Sequence, residues 1–317
     1  MMLPDNCRIG LIGYGEVGKI FSAGLKAMPG VAAVHVWDLK LADPATQAAE
    51  RDHARLACVT AQDGLQALCA TSDWVISAVT ASAALTVAQE AAPFMRPGQL
   101  FLDLNSASPG TKQRSAALVD AVGAHYVEAG VMTTVPPYGI RVPMLLGGAA
   151  ASELASILCG WGMDARAVSA ELGVASAIKM CRSVMIKGLE ALVIESYSTA
   201  RAYGVEGHVL PTLQETFPSI DWSAQGSYFF SRVAQHGQRR AEEMREAANT
   251  VREAGFDPVM AGAIADKHQW VADQARAGVL AGVSAGSPWQ VYADALLAAR
   301  KAGSQAGGPA TGPGADG

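Results

Sequence analysis

Lys179, Ser183, Lys187 and Glu190 follow one another at intervals of four, four and three residues within LGVASAIKMCRSVMIKGLEALVIESYSTAR, residues 172–201. Those intervals are helical. At about 100° per residue, Lys179, Ser183, Ile186, Glu190 and Tyr197 fall on nearly one line, with Lys187 at its edge. The remaining positions are mostly Ala, Val, Ile, Leu and Met, which predicts a long helix buried almost all round. A charge in such a place is expensive without a partner, a ligand or an altered proton affinity. Desolvation favours the neutral amine of a buried lysine, so Lys179 is a candidate for a lowered proton affinity. A purely structural reading instead pairs Lys179 with Glu190 or a helix-end carbonyl, and Lys187 with Glu190 as i,i+3 neighbours.

A second constellation is suited to phosphate. The apolar run CRIGLI has strand length and is followed at once by Gly13-Tyr14-Gly15-Glu16-Val17-Gly18, and then by a helix over about residues 16–28 that Pro29-Gly30 ends. In a strand, GxGxxG turn and helix of this kind, Gly13 makes the tight turn and Gly15 lets a pyrophosphate approach the backbone. Gly18 lets the helix pack on the strand, and the first helical N–H groups, around Glu16 and Val17, face the phosphate. A second strand, residues 32–37, ends in Asp38, where a carboxylate can accept hydrogen bonds from an adenosine ribose. Asp38 favours NAD over NADP, while Lys40 keeps NADP open. A glycine-rich turn without a ligand, or a methyl-donor fold, would share the glycines.

The elements that position these groups alternate. Strands are expected near 56–59, at 74–79, 99–102 and 125–128, with helices at 64–70, 83–91 and 108–122 between them. A loop and a strand at 144–146, a helix at 151–161 and a strand at 164–168 follow. Such alternation gives a parallel, doubly wound sheet, an α/β Rossmann domain. Ligands bind beyond the carboxyl ends of its strands, which selects Val79 and Thr80, the stretch Asp103-Leu104-Asn105-Ser106, and the stretch ending in Met132. Ser108 and Pro109 suit a helix N-cap and first turn. Asn105 and Ser106 can orient a carboxamide or a substrate hydroxyl.

From about residue 169 everything reads as helix: 206–217, 227–254, 258–277 and 287–301. The expected organisation is a dinucleotide domain at 1–168, an all-α domain with a long central helix at 169–302, and a disordered tail at 303–317. The 317 residues are half hydrophobic and carry a net charge of −5, with no basic run longer than Arg239-Arg240, which argues against nucleic-acid binding. No apolar stretch reaches the roughly 20 residues of a membrane span, and the start MMLPDNCRIG lacks a signal-peptide core, so a cytoplasmic protein is expected. The five scattered cysteines match neither a disulfide framework nor zinc spacing, and buried free thiols are expected; no metal site is assigned. His208, His236 and His268 receive no role, and Tyr228, Phe229 and Phe230 read as core or subunit-contact residues.

With these motifs in order, the chain resembles the β-hydroxyacid dehydrogenase superfamily, which includes 6-phosphogluconate dehydrogenase. GLIGYGEVG resembles its dinucleotide motif, Asp103 to Pro109 its DxSTxxP loop, and Lys179-Met180-Cys181-Arg182-Ser183 its KxxxN helix motif. A closer likeness is to a bacterial subgroup with a phosphogluconate-dehydrogenase-like C-terminal domain. The resemblance implies hydride transfer between nicotinamide and a small hydroxy acid of the 3-hydroxy type, with Lys179 as catalytic lysine and a homodimer as the assembly. Ser183 stands where the family usually has Asn, Met132-Thr133-Thr134 replaces a substrate-binding Ser-Gly-Gly loop, and Glu242-Glu243, just after Arg239 and Arg240, replaces a Lys-Asp pair. Ser106, Met132, Thr133, Lys187 and Arg240 are thereby assigned to substrate, and Glu190 to a second proton-transfer role should decarboxylation follow oxidation. An imine or keto reductase of the same architecture, or a non-catalytic dinucleotide sensor, would share the glycines and Asp38.

Overall fold

A computed structural model describes residues 6–306. By compactness the chain divides inside one long helix. One unit runs to Ser183 and adds Arg245–Val259; the other takes Val184–Met244 and resumes at Met260.

The first unit contains β1 (Cys7–Ile12), α1 (Glu16–Lys26), β2 (Val31–Trp37), α2 (Gln47–Leu56), β3 (Thr60–Ala61), α3 (Leu65–Thr71) and β4 (Trp74–Ser77). It continues with α4 (Ala84–Ala91), β5 (Leu100–Asp103), α5 (Pro109–Asp120), β6 (His125–Val131), β7 (Met144–Gly147), α6 (Ala151–Gly160) and β8 (Ala165–Ser169). The strands form one sheet in the order β3-β2-β1-β4-β5-β6-β7-β8. The run 3-2-1-4-5-6 is the dinucleotide-binding order, and its reversal between β1 and β4 opens the crevice where a ligand sits. Apolar residues cover both faces. Phe21, Leu25, Leu154 and Leu158 pack with Ile9 and Leu11 on one side, and Leu68, Ala88 and Val119 with Val75 and Phe101 on the other.

The sheet departs from expectation in two places. β7 runs antiparallel to β6, because the segment between them carries only a short helical turn at Gly139–Arg141 and makes no helical crossover. The strand expected near 56–59 is the end of α2 and the turn after it. The preceding QAAERDHARL is rich in helix formers, Cys58 takes φ 55°, and pairing with β2 begins only at Thr60.

The long helix is α7 (Val174–Tyr203), and its start is fixed from the sheet. Glu128 of β6 is fully buried, and its Oε1 accepts the N–H of Gly173 at 2.7 Å and of Ala175 at 3.1 Å. A carboxylate there satisfies orphan donors and complements the helix dipole. One residue pair on, Gly130 lies so close to α7 that a Cβ would be 3.0 Å from the Ala175 carbonyl oxygen and 3.4 Å from Lys179 Cβ.

The second unit holds the rest of α7, then α8 (Glu206–Thr216), most of α9 (Trp222–Glu253), α10 (Val259–Arg276) and α11 (Trp289–Ala306). Its core is aromatic: Tyr197 and Trp289 lie 4.8 Å apart by ring centroid, with Phe230, Trp222 and Tyr292 packed around them. Phe229 and Phe230 are in this core, and Tyr228 is half exposed. α9 begins at Trp222, earlier than the expected 227, where the Asp221 carboxylate accepts the Ala224 N–H at 2.9 Å. α11 runs to Ala306, past the expected start of the tail, and residues 307–317 lie outside those described.

Two burial expectations are corrected. α7 is not covered all round: Met185 is 66% and Leu192 55% exposed in the single chain, and Ile178 and Leu189 continue that stripe. Of the cysteines only Cys7 and Cys69 are buried; Cys58, Cys159 and Cys181 lie on outward faces. No described helix is long and apolar enough to cross a membrane.

Replacing Glu128 by Ala removes the acceptor for two buried N–H groups and is expected to destabilise the protein by about 1–3 kcal/mol. Urea unfolding followed by circular dichroism measures this. An unchanged midpoint would mean that other groups hold the start of α7.

Candidate active site

Three glycines shape the turn after β1. Gly13 has φ 97°, and a side chain there would strike the Ala78 carbonyl. A Cβ on Gly18 would collide with the Gly13 carbonyl, so the first turn of α1 is packed directly on the strand end. At Gly15 a Cβ would meet nothing within 4 Å, and this residue caps α1 with no side-chain hydrogen bond. An open approach to an uncapped helix N-terminus fits a dinucleotide pyrophosphate, held by the N–H groups of Glu16, Val17 and Gly18.

Asp38 ends β2 and ties this turn in place. Its Oδ2 accepts the Tyr14 N–H at 2.7 Å and its Oδ1 the Lys40 N–H at 2.9 Å. Each carboxylate oxygen can still accept a further bond from a ribose hydroxyl. Tyr14 points inward: its hydroxyl lies 2.9 Å from His53 Nδ1, and the Lys19 ammonium is 5.5 Å from its ring centroid.

The loops beyond β4 and β5 are locked together from below. Asn105 is buried, accepting the Val79 N–H on Oδ1 at 2.7 Å and donating from Nδ2 to Ser77 Oγ at 2.8 Å. Its amide therefore positions the Val79–Thr80 backbone. Under it lies a closed ionic network in which Asp103 takes Lys112 Nζ at 3.0 Å, the Tyr126 hydroxyl at 2.6 Å and the Asn105 N–H at 2.9 Å. Lys112 also donates to the Asp103 carbonyl at 3.0 Å. Burial and the Asp103 charge raise the Tyr126 phenol well above its ordinary value, so it stays protonated and donates.

Above this base Ser106 meets Lys179, whose Nζ donates to Ser106 Oγ at 2.5 Å. The amine comes from the second turn of α7, set by Glu128, and the hydroxyl from the loop after β5. Ser183 is buried one turn beyond Lys179. Past β6, Met132 is fixed through its N–H to the Pro143 carbonyl at 2.9 Å, and Thr133 is exposed at the same edge of the sheet.

The far side of the loop is held by the end of α9. Ser108 caps α5, accepting the Thr111 N–H at 3.2 Å, with Pro109 in the first turn. Glu246 Oε2 accepts the Ser108 N–H at 2.7 Å, while Glu253 takes the Ser108 hydroxyl at 2.7 Å and the Gly110 N–H at 2.9 Å. Two carboxylates thus sit at one helix N-terminus.

The region 8–152 matches the NAD binding domain of 6-phosphogluconate dehydrogenase, and 200–271 matches a domain of unknown function, DUF1932. Over 93% of this chain and 97% of the other, the structure is similar to a conserved hypothetical protein from Sinorhizobium meliloti 1021, with 36% identity and a TM-score of 0.71. It is also similar to conserved protein MTH1747, of unknown function and itself structurally similar to 3-hydroxyacid dehydrogenases. That match has 30% identity and a TM-score of 0.63 over 85% of this chain and 98% of that one. The chain belongs to the β-hydroxyacid dehydrogenase superfamily. Mycobacterium tuberculosis 3-hydroxyisobutyrate dehydrogenase shares the fold at 16% identity, with a TM-score of 0.65 over 92% of this chain and 99% of that one.

In this member of the superfamily the structure brings Lys179 and Ser106 together in the first unit. Glu190 belongs to the second. It meets Arg240, Oε1 to Nη2 at 3.0 Å, and Lys187 meets Glu243 at 2.7 Å. Lys187 and Glu190, expected as an i,i+3 pair, each take a partner from α9, while Lys187 still acts on the Glu190 charge. Glu128, Lys112, Glu246 and Glu253 were missed in the sequence. An acid inside the apolar strand YVEAGV was a visible signal for Glu128; nothing local marks the two glutamates, which act 138 and 145 residues from Ser108.

The glycine geometry separates binding from folding. Gly15→Ala is expected to leave the melting temperature nearly unchanged and to weaken NADH binding at least tenfold, whereas Gly18→Ala lowers the melting temperature by several degrees. Thermal unfolding and NADH fluorescence titration check both; full NADH affinity in Gly15→Ala would remove the pyrophosphate assignment.

Proposed function

We propose that the protein is an NAD(P)-dependent oxidoreductase acting on the carbinol carbon of a small 3-hydroxy acid, with Lys179 as general acid–base. The observation that carries this reading is the 2.5 Å contact between Lys179 Nζ and Ser106 Oγ at the carboxyl edge of a dinucleotide-binding sheet. The nicotinamide, when bound, supplies the hydride acceptor or donor.

In oxidation, the Ser106 hydroxyl and the Lys179 amine both hydrogen-bond the substrate hydroxyl. As the C–H bond breaks, the neutral amine takes the hydroxyl proton and the carbonyl forms; in reduction the ammonium returns it. Ser183 offers a second hydroxyl one turn away, and Met132 and Thr133 form part of the wall beyond β6. Asp38 supports NAD over NADP, since a 2′-phosphate would meet its negative charge. The exposed stripe of Met185, Leu189 and Leu192 supports a homodimer that covers it.

Lys179→Met is expected to lower turnover of the best substrate in a panel of 3-hydroxy acids by about 10²–10⁴-fold, with NAD affinity held within a factor of two. Absence of turnover by the wild type with every hydroxy acid, while NAD still binds, would sink the dehydrogenase reading; NADPH oxidation with ketone plus amine would move it to an imine reductase.

Sedimentation tests the assembly. The wild type should run as a dimer at micromolar concentration and Met185→Asp/Leu192→Asp as a monomer.

A further inference from the structure

A set of buried and half-buried charges in the helical unit takes no part in the proton and hydride transfer proposed for Lys179. Four cations, Lys187, Arg232, Arg239 and Arg240, act there with two carboxylates, Glu190 and Glu243, and two histidines, His236 and His268. They come from α7, α9 and α10. Lys187 is 5% exposed, Glu190 1% and His268 fully buried.

Pairing within the set is incomplete. Lys187 is bound to Glu243 and Arg240 to Glu190, while Arg239 Nε stands 3.8 Å from the Glu243 carboxylate that Lys187 already holds. Arg232 acts on the same Glu190 as Arg240. Within this set four cations face two carboxylates, and the less a charge is exposed the more an imbalance costs.

The histidines do not add to that charge. Burial, then the neighbouring arginines, lower His236 to about 4, and burial with Arg240 and Lys187 lowers His268 to about 3. Both are neutral near pH 7. Burial raises the proton affinity of Glu190 despite Arg240, which can only enlarge the cationic excess.

Hydrogen-bonding capacity is left over as well. The Nε atoms of Arg232, Arg239 and Arg240, both ring nitrogens of His268 and Oε2 of Glu190 are buried without a hydrogen-bond partner among the described residues. His268 Nε2 lies 3.7 Å from that Glu190 oxygen, too far for a good bond. Such leftovers in a native interior call for an explanation.

The backbone is shaped around them. His236 leaves helical geometry at φ −130° and ψ 15°, kinking α9 between Arg232 and the Arg239-Arg240 pair. Next to it, Gly237 packs so tightly on α10 that a Cβ would lie 2.8 Å from the His268 carbonyl oxygen. Arg232 and Arg240, on either side of that kink, both act on His236 and on Glu190. Arg239, with 41% of its side chain exposed, gives the cluster an outer edge.

We propose that Arg232, Arg239 and Arg240 form a binding site for a small dianion whose charge lies on oxygen acceptors, a dicarboxylate or a phosphate monoester. Guanidinium forks match such oxyanions. Two negative charges balance the cluster, whereas a monocarboxylate balances half of it. Glu190 and Glu243 hold Arg240 and Lys187 in position, and neutral His268 offers one further N–H donor.

Isothermal titration of the full-length protein with succinate, inorganic phosphate and acetate, in phosphate-free zwitterionic buffer, tests this. One dianion per chain is expected to bind at least tenfold more tightly than acetate. Preference for succinate identifies a dicarboxylate site and preference for phosphate a phosphoryl site. Arg240→Gln should weaken that binding at least tenfold, and so should Arg239→Gln, whose position at the outer edge spares the fold. NADH affinity serves as the folding control for both variants. Equal binding of acetate and both dianions overturns the proposal, as does dianion binding that survives both substitutions in protein that still binds NADH. Binding is read directly, so a failure of the hydride-transfer reading would leave this site standing.

Discussion

The capping of α7 by Glu128 is the contact on which the geometry of the site depends. A helix has donors at its start that must be satisfied, and here a buried carboxylate from the sheet satisfies two of them. The two hydrogen bonds tie the helix start to the sheet, and the absence of a side chain at Gly130 lets the helix pack closely on β6. Lys179 lies a little over one turn beyond Ala175, so its amine inherits that registration. The opposing hydroxyl, Ser106, is fixed separately by Asn105 below and by the capped start of α5 beyond. A short contact between two groups from distant parts of the chain needs both supports.

The protein buries charge in two different ways. Asp103, Lys112 and Tyr126 form a closed set, with each charge matched and the carboxylate satisfied from several sides. That is the condition under which interior ion pairs are tolerated. The cluster around Arg240 is built otherwise, with more cations than carboxylates and several polar atoms left over. The first arrangement holds a loop in place. The second has the composition of a surface that meets something charged.

Much of the first unit was legible because its signals are local. CRIGLI and the glycines state strand, turn and helix within a dozen residues, and Ser108-Pro109 states a helix start in two. The two-residue β3 was misplaced because its apolar neighbours, Leu56 to Val59, sit on the end of a helix built from alanine and charged residues. The reversal at β7 was missed since hydrophobic pattern reports burial and not strand direction. In the long helix the polar residues were found, but their partners were not. Glu190 and Lys187 look like neighbours along the sequence, while the ion pairs run to Arg240 and Glu243 on another helix. Exposure of Met185 and Leu192 was hidden for a similar reason, because composition cannot tell a core face from one left bare on a single chain.

The segment Arg245–Val259 belongs to the dinucleotide-binding unit although it follows most of the helical one in the chain. Synthesis proceeds from the N-terminus, so the sheet can form early while the start of α5 still lacks Glu246 and Glu253. Its last capping groups emerge from the ribosome after the first part of the helical unit. The loop that carries Ser106 is therefore completed late, and a nascent chain holding the whole sheet still lacks the last supports of that loop.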